Sequence, residues 1–221
     1  MTAPRDIPPV HSLLLTDPGA AIDFRGQPPA WLHLRSDEPT WLIRTRAPST
    51  TTFWSAGLRG RTRSERHAVR INPAHVQQVI TPTQLSATLP AQRPGSYAAP
   101  AMQALSEVHR ILERHDPRLS WGPIGSVALE LATRRGTWVH PNSDLDIVLN
   151  TEVPLEKELA KRLLTALTPL AVRIDALIEG PAGAIALEEW AIRSAPWLVR
   201  TANGPVLTAT PWAVMGCESP P

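Results

Sequence analysis

Apolar residues recur at helical spacing over residues 101–115, where Met102, Leu105, Val108 and Leu112 are separated by polar positions and Asp116-Pro117 closes the run. This predicts an amphipathic helix. The period then changes. Residues 119–124 read as a short strand delivered into Gly125-Ser126, and residues 127–135 as a helix stopped by Gly136. Across residues 144–149, Leu145, Ile147 and Leu149 alternate with Asp144, Asp146 and Val148, the two-residue repeat of a strand. Residues 155–167 predict a helix, 172–178 a further strand and 182–193 a helix. Two short apolar stretches, 198–200 and 206–208, flank Asn203-Gly204, a strong hairpin signal, although Pro205 weakens the second strand. The alternation of helices and strands predicts an α/β sheet rather than a helical bundle.

The residues before this region differ in character. Residues 4–9 read as a loose lead-in. Trp31-Leu32-His33-Leu34 and Trp41-Leu42-Ile43-Arg44 predict a hairpin, and Asn72-Pro73 opens a short predicted helix through Val79. Between them runs a basic stretch with Arg59, Arg61, Arg63, Arg66, His67 and Arg70. Residues 90–100, rich in proline, glycine and serine, predict a linker. The expected division is therefore a smaller α+β domain over residues 1–95 and a second domain over residues 96–221.

Composition narrows the class. A chain of 221 residues with 43% hydrophobic and 19% charged residues can bury a core and is not wholly disordered. Its 24 prolines predict short elements and ordered loops. A single cysteine, Cys217, excludes an internal disulfide framework and a cysteine-based zinc site. No apolar run reaches membrane-spanning length and no signal-peptide pattern opens the chain, so a soluble cytoplasmic protein is expected. Net charge is only +2, but Lys157 and Lys161 are the only lysines among 22 basic residues. Arginine suits phosphate and carboxylate recognition, and genomic base composition also favours it over lysine.

The chemistry concentrates in the second region. On a strand, Asp144 and Asp146 project from one face while Leu145 and Ile147 face the other. Two carboxylates on one face perturb each other unless a cation or proton intervenes, and Mg²⁺ is the natural counter-ion where phosphate oxygens complete its shell. Asp175 lies within an apolar strand pattern, where a carboxylate is costly unless it is paired or metal-bound. Either a salt bridge to Arg173 or a place beside the other two carboxylates satisfies it. Gly125-Ser126 sits where strand passes to helix, the position at which free backbone N–H groups favour phosphate. Arg134 and Arg135 follow that helix as candidate phosphate contacts or as ordinary partners of its dipole.

This order of features resembles the DNA polymerase β-like nucleotidyltransferase superfamily: a Gly-Ser loop, an Asp-x-Asp strand and a third carboxylate. The resemblance implies that Gly125 and Ser126 hold a triphosphate and that Asp144, Asp146 and Asp175 ligate two Mg²⁺ ions, or Mn²⁺ in their place. The 17 residues between Ser126 and Asp144 make this no minimal member. A narrower resemblance covers nearly the whole chain. GLRGRTRSERHAV, WGPIGSVALELATRRG, SDLDIVL, RIDALIEGPAGAIALEEWA and LVRTANGP are similar to the malonate decarboxylase holo-acyl-carrier-protein synthase family, the phosphoribosyl-dephospho-CoA transferases. That resemblance implies triphosphoribosyl-dephospho-CoA as donor and a serine of the apo acyl-carrier subunit of malonate decarboxylase as acceptor. Residues 1–95 are then expected to recognise substrate or carrier, with Arg59 and Arg61 as candidate phosphate contacts, although a solvated basic face is the plainer reading of that run.

Rival readings are adenylylation of a protein or small molecule, and a non-catalytic module that docks a carrier. The complete Asp144, Asp146 and Asp175 set argues against the second. Modest net charge and the lack of a recognised motif argue against nucleic-acid binding.

Overall fold

The computed structural model describes residues 6–33, 37–60, 62, 64–89 and 99–213; Arg61, Arg63, Cys217 and residues 90–98 of the expected linker lie outside them. Among the described residues the chain forms two six-stranded sheets. The first contains β1 (Leu13–Thr16), β2 (Ile22–Asp23), β3 (Trp41–Arg44), β4 (Trp54–Arg59), β5 (Arg66–Ile71) and β6 (Val76–Ile80), in the order β2-β5-β4-β3-β1-β6. Every pairing is antiparallel. The N-terminal unit is thus a β-sheet rather than the expected α+β layer.

Two local expectations are corrected. Trp31 and Leu32 belong to a turn and pack on the sheet's core, while β3 pairs with β1 and β4. Asn72 does cap a helical turn, its side chain accepting from the Ala74 N–H, but the turn is 3₁₀ and ends at His75. Val76 and the residues after it then pair with β1, opposite Leu14 and its neighbours. Cross-strand burial overrides the local helix-start signal there.

Alternation explains how this sheet is held. Leu14, Leu42 and Trp54 face one way into a cluster of their own. Leu13, on the opposite face, joins the larger core of the second half, with Trp41 and Ile43 packed against it. Both Leu13 and Leu14 are fully buried, so the centre of the first sheet is covered on both faces.

The second unit contains α2 (Pro100–His115), β7 (Ser120–Pro123), α3 (Gly125–Thr133), β8 (Leu145–Asn150), α4 (Lys157–Leu167), β9 (Ile174–Gly180), β10 (Gly183–Ala186), α5 (Leu187–Ile192), β11 (Trp197–Thr201) and β12 (Gly204–Thr208). Its order is β12-β11-β10-β9-β8-β7, with β8 and β9 parallel and the other pairs antiparallel. The sheet is therefore mixed. Leu145, Ile147 and Leu149 pack with Leu105 and Leu112 of α2 and Leu159 and Leu163 of α4. The helix expected over residues 182–193 is a strand followed by a shorter helix. Gly183, at φ +142, approaches β11 so closely that a Cβ there would stand 2.4 Å from the Arg200 carbonyl oxygen. The hairpin of β11 and β12 forms as expected, and Pro205 lies on the edge strand, where its missing N–H is tolerated. Among the described residues no helix is long and apolar enough to cross a membrane.

The two units are tied at several points. Helix α1 (Pro82–Ala87) starts with a capping box between Thr81 and Gln84 and lies along the β7 edge. The Ser86 hydroxyl donates to the Trp121 carbonyl at 2.7 Å. A Cβ on Gly122 would stand 2.0 Å from the Pro82 carbonyl oxygen. Gly122→Ala is therefore expected to destabilise the protein by about 1–3 kcal/mol, the usual cost of overpacking. A urea melt showing an unchanged midpoint would mean that this contact does not stabilise the fold.

Further along the interface the Arg46 guanidinium forks onto the Glu179 carboxylate of β9. His11, in a left-handed backbone conformation at φ 70, lies close by. Burial, then the charges of Arg46 and Arg200, depress the His11 imidazole to about 4. A histidine kept neutral in the fold contributes stability above its ordinary value near 6.5 and loses it as pH falls towards 4. We expect stability to decline through that window, and His11→Gln to flatten the decline. Equal slopes for parent and variant would show that other groups set the acid limb.

Candidate active site

Strand register brings the carboxylates together. In the parallel β8–β9 pair, Asp146 is the direct partner of Asp175, so their side chains share one face. Asp144, one residue before β8, lies on that face two residues upstream of Asp146. The opposite face carries Leu145 and Ile147 into the core, which fixes the direction of the acids.

The Gly-Ser segment lies directly over this group. The Ile124 N–H donates to the Asp146 carbonyl at 3.0 Å, anchoring the start of α3 to β8. Gly125 has φ +65, and a Cβ there would lie 3.1 Å from Asp146 Oδ2 and 3.5 Å from Arg59 Nη1. Both the backbone conformation and the space call for glycine. Ser126 is buried at the first turn of α3.

Cations arrive from the other sheet. Arg59 and Arg66 are cross-strand partners at the ends of β4 and β5. Both line a cavity of about 480 Å³ together with Ser126, Asp144, Asp146 and Asp175. Pairing thus sorts the basic run: Arg59 and Arg66 enter the site, while Arg70 stacks over Phe53 at 4.4 Å. Arg61 lies outside the described residues.

Charge is not balanced evenly here. Burial, then the neighbouring Asp175 carboxylate, raise the proton affinity of Asp146; Arg59 opposes this, Asp144 adds to it, and Arg66 opposes it. Asp175 is engaged by Arg173, whose Nε lies 2.9 Å from Asp175 Oδ1. This is the salt bridge that the sequence left open. It does not displace Asp175 from the cavity wall, where Arg173 stands beside it.

Among the described residues no three His, Cys, Asp or Glu side chains yet converge to hold one ion. Mg²⁺ normally needs only one or two carboxylates when substrate phosphates and water complete its octahedron. An under-compensated Asp146 beside Asp144 and Asp175 is a donor set of that kind.

Arg134 and Arg135 line neither this cavity nor the neighbouring one. Arg134 terminates α3 in a left-handed conformation, roughly 13 Å along the helix from Gly125 at 1.5 Å per residue. The long spacer has a different role. Buried Glu130 accepts from the N–H groups of Gly136 at 2.6 Å and Trp138 at 3.0 Å, folding the chain back after α3. That return carries Trp138, His140, Asn142 and Ser143 to the cavity wall. The His140 N–H then donates to Ser143 Oγ at 3.0 Å, fixing the turn that delivers Asp144. Sequence reasoning placed Arg66 in the basic run without singling it out, and missed Glu130 and Ser143 as contributors. For Arg66 the available signal was its pairing across a hairpin from Arg59.

Carboxylates facing arginines beneath a strand-to-helix turn are chemically suited to phosphate, and comparison with known proteins names the chain's family. Residues 9–82 match the phosphoribosyl-dephospho-CoA transferase MdcG N-terminal domain and residues 84–211 match the MdcG C-terminal domain. The phosphoribosyl-dephospho-CoA transferase of Pseudomonas putida is 35% identical over 215 residues, covering 97% of this chain and 98% of its own. That of Pseudomonas aeruginosa is 31% identical, covering 96% and 97%. The Azotobacter vinelandii enzyme is 33% identical over 184 residues. No solved structure matches the chain. The chain belongs to the MdcG phosphoribosyl-dephospho-CoA transferase family.

Proposed function

We propose that this chain transfers phosphoribosyl-dephospho-CoA from 2'-(5''-triphosphoribosyl)-3'-dephospho-CoA to a serine of the apo acyl-carrier subunit of malonate decarboxylase, releasing pyrophosphate. The observation that carries the reading is the register of β8 against β9, which sets Asp146 beside Asp175 directly under Gly125. Family membership over nearly the full length supports the donor.

The chain's own groups have distinct tasks. The free N–H groups at the start of α3, around Gly125 and Ser126, bind phosphate oxygens. Arg59 and Arg66 offset charge on the departing pyrophosphate. Asp144, Asp146 and Asp175 would hold Mg²⁺, or Mn²⁺ in its place. That cation, when bound, neutralises the phosphates and lowers the pKa of the attacking hydroxyl. The serine oxygen forms the new bond to the α-phosphorus as the bond to the pyrophosphate oxygen breaks. The hydroxyl proton leaves to a carboxylate oxygen of this acidic group or to solvent.

Incubation with Mg²⁺, donor and apo carrier, followed by intact mass measurement of the carrier, tests this. One phosphoribosyl-dephospho-CoA per carrier is expected, with equimolar pyrophosphate and no labelling of a Ser→Ala carrier. Rapid pyrophosphate release without carrier, or transfer only from ATP, would overturn it.

A further inference from the structure

A second cavity of about 720 Å³ adjoins the first and shares Asp146, Arg173 and Asp175 with it. The two differ in character. The first is walled by arginines, carboxylates and small polar groups. The second runs past Leu164, Leu167 and Leu170 near the end of α4, Val172 before β9, and Leu187 of α5. Its size falls within the range of small-molecule sites, and its wall combines apolar side chains with the carboxylates of Asp146, Asp175 and Glu188 and the guanidinium groups of Arg173 and Arg200. One of these charges is Arg200 of β11, an exposed cation that forms no ion pair among the described residues. β9 explains the opening. Its first four residues are only partly buried although the strand is central in its sheet.

We propose that this second cavity seats the dephospho-CoA half of the donor, with Arg200 holding the diphosphate and the apolar wall receiving the adenosine and pantetheine arm. The inference rests on the transferase reading for the identity of the ligand. Its geometric basis is independent. Transfer at the α-phosphorus requires a donor whose triphosphate lies to one side of the reacting atom and whose bulky organic portion lies to the other. The structure offers a polar chamber and a second chamber with a leucine-rich side, meeting at Asp146 and Asp175. An adenosine diphosphate ester carrying a long, weakly polar arm fits the second in volume, with Arg200 as the cation available to its diphosphate.

Dephospho-CoA itself, which lacks the triphosphoribosyl group, is the probe for this cavity, and inorganic tripolyphosphate with Mg²⁺ is the probe for the other. Calorimetry on the full chain should show dephospho-CoA binding that Arg200→Ala and Ala171→Trp each weaken at least tenfold. Tripolyphosphate binding should stay within twofold in both variants. On the unaltered protein, dephospho-CoA should slow hydrogen exchange over residues 164–177 and 186–200, and tripolyphosphate over residues 124–128 instead. The proposal is overturned if the unaltered chain does not bind dephospho-CoA. It is equally overturned if the compound protects only residues 124–146, or if both variants bind it as the parent does. Normal carrier labelling together with any of these results removes the subsite and leaves the transferase reading standing. Dephospho-CoA binding as described, without carrier labelling, does the reverse.

Discussion

Asp146→Asn is expected to reduce transfer at least ~10³-fold, about 4 kcal/mol of barrier, while raising the melting temperature of the metal-free protein. The two effects have one cause. Asp146 is half-buried and faces Asp175, so its charged form is disfavoured in the folded chain. A carboxyl with raised proton affinity contributes stability fully below the ordinary carboxylate range and loses it as pH rises through the raised value. At neutral pH the charge therefore costs stability, and an amide of the same shape removes that cost. A gain on the order of 1 kcal/mol corresponds to about 2–4 °C for a chain of this size. The same amide offers a hard cation only a neutral carbonyl oxygen and cannot take up a proton. Asp144→Asn and Asp175→Asn should also lose at least ~10³-fold in rate. Mg²⁺ with tripolyphosphate should raise the parent's melting temperature and leave that of Asp146→Asn unmoved. A folded Asp146→Asn enzyme turning over within tenfold of the parent would end the assignment.

Much of this site was legible because strand periodicity alone puts Asp144 and Asp146 opposite Leu145 and Ile147, and because Gly125-Ser126 marks the passage from strand to helix. What the chain order could not supply was register. Periodicity does not say that Asp146, rather than Asp144, pairs with Asp175; that follows from β9 lying parallel to β8. The same gap hid the division of the basic run, since Arg59 and Arg66 face each other only once β4 and β5 pair. Local signals also misled where tertiary pairing prevailed. Asn72-Pro73 opens a helical turn, yet the burial available beside β1 turns Val76 and its successors into a strand. Residues 182–193 read as one helix because alanine and leucine favour it, whereas the close approach of Gly183 to β11 commits their first part to the sheet.

Arg59→Ala is expected to lower kcat/KM by about 10²-fold, the scale for removing one preorganised charge from a transition state, with Arg66→Ala following in the same direction. Residues 1–95 entered the sequence reading as a recognition unit, but Arg59 stands beside both Gly125 and Asp146, where pyrophosphate would depart. If it acts there, kcat falls as well as affinity, and Arg59→Lys restores part of the rate by supplying charge without the guanidinium fork. A second signature follows from Asp146. Arg59 opposes the rise in that carboxyl's proton affinity, so its loss lets the affinity climb further. The acid limb of the kcat/KM profile should then move to higher pH in Arg59→Ala and return towards the parent in Arg59→Lys. A purely docking role predicts a different pattern: weaker carrier binding that fades with added salt, an unchanged kcat and an unmoved acid limb. That pattern, measured at saturating donor and several ionic strengths, would return Arg59 to the protein surface and leave Arg66 as the first sheet's cation beside the carboxylates.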